Sequence, residues 1–131
     1  MKVVLDTNVL FSAVTYDGIP AKILERVAKG EMIGVTSPLL IDEFFEILRK
    51  KSSLSLEGIQ LLQEEFGRLL EVVFPRQSIE VCRDHDDNRV LEAAIEGDCD
   101  YIVTGDKDLL VVGTYQKTAI LTPAEFLQKL G

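Results

Sequence analysis

Histidine occurs once in this sequence, at His85, and cysteine only twice, at Cys82 and Cys99. The cysteines lack metal-ligand spacing, so a reducing, cytoplasmic setting with both thiols free is expected. The single histidine reads as a loop residue rather than a ligand. Long apolar runs are absent, and none approaches the length of a bilayer span, so no membrane association is expected. Only Val3, Val4 and Leu5 lead up to Asp6, so no secretory leader is expected. Positive charge is also scarce: 14 Lys and Arg against 22 Asp and Glu give a net charge of −8 and a pI near 4.6. That argues against broad, non-specific adhesion to nucleic acid or anionic membrane. Repeats, low-complexity tracts and linkers are missing as well, so residues 1–131 are expected to form one domain.

What is present is a hydrophobic content of 47% and a mean hydropathy of +0.15, enough for a well-filled core and a buried oligomer face. The chain opens with an apolar run, Val3-Val4-Leu5, that stops at Asp6-Thr7-Asn8. Such a run bounded by polar residues reads as a strand buried on both faces. The Asp6 carboxylate then stands where the strand leaves the sheet, which is where ligands sit in open parallel sheets.

A short helix follows over Val9 to Val14, and a second runs from Pro20 to about Lys29, with Gly30 as its stop. Met32 to Thr36 is the next strand. Ser37-Pro38 caps a helix over Leu39 to Lys51, and Ser55 caps another over Leu56 to Glu71. Val72 to Phe74, closed by Pro75, and Ile79 to Cys82 read as short extended segments. The acidic stretch Asp84-His85-Asp86-Asp87 opens a helix with Val90, Leu91, Ala94 and Ile95 on one side and Gly97 at its end. Tyr101 to Thr104 is a buried strand ending in Gly105-Asp106-Lys107-Asp108. Ala119 to Leu121 is the last strand, and Thr122-Pro123 caps a final helix over Ala124 to Leu130. Strands alternating with crossover-length helices predict a mainly parallel α/β sheet with helices on both faces, a three-layer α/β/α sandwich.

Acids from separate elements can meet in this arrangement. Asp6 and Asp106 leave the same edge of the sheet if their strands are parallel neighbours, and Asp87 opens a helix that packs back on that sheet. Helical spacing puts Glu43 on the apolar face of its helix, beside Leu39, Leu40 and Ile47. Two carboxylates about 5 Å apart repel by roughly 3 kcal/mol at an effective dielectric near 20. Divalent cations remove that repulsion, and all-oxygen ligands select Mg²⁺ or Mn²⁺ over zinc. Such a site, with one or two ions, suits phosphodiester hydrolysis, and its metal-neutralised carboxylates are compatible with the acidic composition. Each acid also has a plainer explanation: helix capping for Asp86 and Asp87, turn chemistry for Asp106 and Asp108, a mis-phased surface position for Glu43.

Several stretches resemble the motifs of PIN-domain nucleases. They are Leu5-Asp6-Thr7-Asn8-Val9-Leu10 at the start, Asp84 through Ala94 in the centre, Tyr101 through Leu109 later, and Thr122-Pro123-Ala124-Glu125-Phe126 at the end. The similarity runs along essentially the whole chain and is strongest to small prokaryotic VapC-like proteins. It implies a Mg²⁺- or Mn²⁺-dependent ribonuclease with Asp6, Glu43, Asp87 and Asp106 as its acidic quartet, Asp108 sharing or taking the fourth role. It further implies support from Asn8 and Thr104, cleavage leaving a 5′-phosphate, a cognate antitoxin that plugs the acidic site, and a homodimer. His85 departs from the family pattern, where proline is frequent.

Lys107, beside the proposed site, is the best candidate for a phosphate contact. The stripe Lys22, Arg26, Lys29 and the run Arg49-Lys50-Lys51 read as solvated faces. Phe44, Phe45 and Phe66 read as core, and no base-stacking platform is evident. Two other functions compete. A haloacid-dehalogenase-like phosphatase also starts with a strand ending in Asp, but it needs a second Asp two residues on, where this chain has Asn8. A catalytically silent PIN-like module binding RNA or protein is the non-enzymatic alternative, against which the intact acidic set weighs.

Overall fold

The computed structural model describes all residues 1–131. Its first strand, β1 (Lys2–Leu5), is buried through Val3, Val4 and Leu5. The helices α1 (Thr7–Thr15) and α2 (Ile19–Ala28) follow, then β2 (Ile33–Thr36), α3 (Pro38–Lys51) and α4 (Leu56–Leu69). The strand β3 (Leu70–Val72) continues directly from α4; α5 (His85–Glu96), β4 (Tyr101–Val103) and α6 (Lys107–Val112) come next. A hairpin of β5 (Thr114–Tyr115) and β6 (Thr118–Leu121) leads to the last helix, α7 (Pro123–Leu130).

The six strands make one sheet in the order β3-β2-β1-β4-β6-β5, parallel except for β5 against β6. Alternating side chains of the central strand feed two cores. Val3 and Leu5 join Phe44, Phe45, Leu48, Phe66 and Phe126 on one face. Val4 joins Val35, Leu91, Ala94, Ile102 and Leu109 on the other. The expected three-layer α/β/α sandwich with a mainly parallel sheet is therefore observed. Chain order reverses between β1 and β4: β2 and β3 extend the sheet on one side, β4 and β6 on the other. The crevice beyond the C-terminal ends of β1 and β4 is thus the switch point of the sheet.

The caps read from the sequence are in place. Ser37 Oγ accepts from Leu40 N at 3.4 Å and Ser55 Oγ from Gly58 N at 3.0 Å. Thr122 and Glu125 form a reciprocal capping box. Four expectations need correction. The strand expected at Val72 to Phe74 is shifted to Leu70–Val72, because Leu70 pairs with Gly34 and ends α4 early; Phe74 is exposed. Ile79 to Cys82 belongs to no strand, being held by side chains of α5 instead. The stretch after Asp106 forms the short helix α6 rather than punctuation alone. His85 is the first residue of α5, not a loop residue, and Asp84 is that helix's N-cap.

Gly97 does end α5, but with φ −81° it is not the left-handed residue of a glycine stop. A Cβ there would lie 2.8 Å from Val35 Cγ1, so close helix-to-sheet packing is what requires glycine. Gly30, with φ +78°, is the left-handed stop expected after α2.

Candidate metal centre

Asp6 follows β1 and serves as N-cap of α1. Its Oδ1 accepts from Thr7 N at 2.7 Å and its Oδ2 accepts from the hydroxyl of Thr104 at 2.7 Å. Its own amide donates to Val103 O at 3.0 Å, extending the β1–β4 pairing by one residue. Thr104 is fully buried, and its Oγ1 also accepts from Asp106 N at 3.0 Å. One hydroxyl therefore ties the ends of β1 and β4 together and fixes the two aspartates that leave them. Asp106 is the N-cap of α6, its Oδ1 accepting from Asp108 N at 2.8 Å.

Asp87 lies in the first turn of α5, at 6% exposure. The structure removes its plainer explanation. Asp84 performs the capping, its Oδ1 accepting from Asp86 N at 2.9 Å, so Asp87 is not needed for it. Asp87 Oδ2 is buried and has no hydrogen-bond partner. Oxygens of Asp87, Asp106 and Asp108 all lie within 4.8 Å of one another. Burial, then the charges of Asp106, Asp84, Asp6 and Asp108, push the Asp87 carboxyl up to about 6. Burial also raises Asp6, against its two hydrogen bonds and with the help of Asp106. Half-buried Glu43, on α3, is raised by burial and by the charges of Asp86 and Asp6.

The structure thus brings Asp87, Asp106 and Asp108 into one cluster, with Asp6 bound to it through Thr104. Glu43 is not part of that trio; it faces Asp6 and Asp86 from α3. Asn8 is exposed in the first turn of α1, and Lys107 is exposed at the first position of α6. The residue that sequence reasoning missed is Arg83, whose Nη2 lies 3.7 Å from Asp108 Oδ1. Nothing in its sequence context distinguishes it, since its partner lies on a helix that follows another strand.

Packed carboxylates with an unpartnered buried oxygen fit a divalent cation that would complete their coordination. The donors are oxygens. Cys82, whose thiol is raised by burial and by the charges of Asp87, Asp108, Asp106 and Asp84, is not among the side chains whose ligand atoms converge. The donor set therefore favours hard cations of the Mg²⁺ and Mn²⁺ type.

Comparison with known proteins agrees with this geometry. A family model described as "PIN domain" matches residues 2–108. "Uncharacterized protein MJ1680" of Methanocaldococcus jannaschii is 33% identical over 142 residues, an alignment covering 98% of this chain and 91% of that one. Among solved structures, VapBC2 from Rickettsia felis bound to a DNA fragment from its promoter superposes with a TM-score of 0.64 at 17% identity, covering 92% of this chain and 97% of the other. FitAcB from Neisseria gonorrhoeae gives 0.57 at 12% identity, with 93% and 98% covered. At such identities the two superpositions speak for the fold alone.

Proposed function

This chain belongs to the PIN-domain family, and on that premise we propose that it is a Mg²⁺- or Mn²⁺-dependent endoribonuclease. The observation that carries the proposal is the convergence of oxygens of Asp87, Asp106 and Asp108 within 4.8 Å of one another, Asp87 also holding a buried, unpartnered carboxylate oxygen. Asp6, Asp87 and Asp106, with Asp108, would hold one or two ions, and Glu43 would close the site from the α3 side. Bound there, the cation supplies Lewis acidity toward a phosphodiester and positive charge to offset that developing on the leaving oxygen.

The chain's own residues supply position. Thr104 orients the Asp6 carboxylate and the backbone at the start of α6 with a single hydroxyl, so Asp6 need not reorganise when substrate arrives. Asn8, exposed beside Asp6, is free to hydrogen-bond water or substrate, and Lys107 is free to meet a phosphate. A finer reading, drawn from membership of the family and the sequence resemblance to VapC-like proteins, is that this chain is the toxin of a toxin–antitoxin pair, a cytoplasmic homodimer repressed by a cognate antitoxin.

The test is cleavage of a mixed RNA pool with Mn²⁺, which Asp6→Asn should abolish and EDTA should stop. Hydrolysis of para-nitrophenyl phosphate without RNA cleavage would replace this reading with a phosphatase. RNA binding without any cleavage would leave a silent PIN module.

A further inference from the structure

The loop that enters α5 is anchored by side chains of the helix it precedes. Asn88, 2% exposed, accepts through Oδ1 from Val81 N at 3.0 Å and from Cys82 N at 2.8 Å. Through Nδ2 it donates to Cys82 O at 3.0 Å. Three hydrogen bonds from one amide thus fix the two residues before Arg83. Asn88 is also the immediate neighbour of Asp87, so one turn of α5 carries both the clamp and a cluster carboxylate.

Arg83 is 91% exposed along its side chain, and among the ion pairs of the chain only its own reaches the acidic cluster. At 3.7 Å and in contact with water, that pair is a weak, screened one. The clamp satisfies the backbone of Val81 and Cys82, which no strand pairs, and in doing so it also fixes the point from which Arg83 leaves the loop. The guanidinium of Arg83 is thus held through the residue that precedes it and free at its tip, at the rim of the cluster.

We propose that Arg83 is a substrate-binding residue that takes an RNA phosphate beside the Asp87–Asp106–Asp108 cluster, with Asn88 as the positioning residue that holds it there. The inference rests on the ribonuclease reading given above. A chain of net charge −8 must offer local positive charge where an anion is to approach its carboxylates. The planar fork of Arg matches phosphate oxygens in pairs, and the exposed contact with Asp108 is readily exchanged for them.

The test is anisotropy of a fluorescent single-stranded RNA oligonucleotide with Mn²⁺ in the Asp6→Asn background, over a range of salt, together with cleavage kinetics in the otherwise wild-type chain. R83Q should weaken binding several-fold and make the slope of log K against log salt shallower by about 0.7, the loss of one phosphate contact. R83K should restore the slope, since it keeps the charge. N88A should raise KM with kcat little changed, and the pair R83Q/N88A should be no worse than R83Q alone, because both act through one contact. If N88A fails to fold, the affinity and salt slope of R83Q and R83K decide the proposal by themselves. Unchanged affinity and slope in R83Q, or additive effects of the two substitutions, would overturn this inference while leaving the nuclease intact. No RNA binding by the chain at all would overturn both.

Discussion

Replacing Asp87 by Asn should make the metal-free protein more stable, although it removes a native side chain from a buried position. The carboxyl of Asp87 is pushed from 3.8 up to about 6 by burial and by the charges of Asp106, Asp84, Asp6 and Asp108. Its ionised form is therefore disfavoured in the folded chain and not in the unfolded one. Between pH 3.8 and about 6 the folded state binds more protons, so stability falls as the pH rises. Above that window the whole penalty is present; below it there is none. Two pKa units correspond to about 3 kcal/mol, an upper bound. Asp108 is exposed, so water and salt screen part of the repulsion, and the expected gain for Asp87→Asn at pH 7.5 is about 1–2 kcal/mol. For a chain of this size that is a rise in Tm of about 3–6 °C. The assay is thermal unfolding in EDTA of both proteins at pH 7.5 and again at pH 3.5. The advantage of the variant should vanish at the lower pH, where the wild-type carboxyl is already neutral. A variant less stable at pH 7.5, or one with the same advantage at both pH values, would refute the claim that Asp87 is a strained, unneutralised charge.

Two further substitutions test the frame around the cluster. Thr104→Val keeps shape but removes the hydroxyl that serves Asp6 Oδ2 and Asp106 N, so unfolding in urea should show a loss of about 1–3 kcal/mol, and Thr104→Ser, which keeps the hydroxyl, a smaller one. RNA cleavage should fall in the Val variant and largely survive in the Ser variant. Gly97→Ala should cost about 1–3 kcal/mol by forcing α5 away from Val35, measured by the same unfolding, despite a φ that alanine adopts freely.

The outline of this molecule was legible because its signals are local. An apolar run ending in Asp6, Ser or Thr ahead of Pro38 and Pro123, and helical spacing in α3 to α5 each lie within a few residues. What was not legible depends on partners distant in sequence. The six residues of α6 and the two of β5 are too short to show a period, and Gln116-Lys117 carries none of the Gly, Asn or Asp that marks a hairpin turn in sequence, although Gln116 takes φ +53°. The start of α5 was misjudged because Asp84, Asp86 and Asp87 are all able to cap, and only the fold decides that Asp84 does so. That decision matters for function, since it leaves Asp87 without a structural task. Asp6 and Thr104 were each noticed as punctuation, but their hydrogen bond spans 98 residues and has no sequence signal. Arg83 went unnoticed for the same reason.

Whether these carboxylates hold a cation can be read from anomalous diffraction of crystals soaked in Mn²⁺, recorded at the manganese edge. A peak is expected within coordination distance of Asp87 and of oxygens from Asp106 or Asp108, absent from crystals of Asp87→Asn. A map with no peak there, or with manganese bound only at acids elsewhere on the surface, would contradict that expectation.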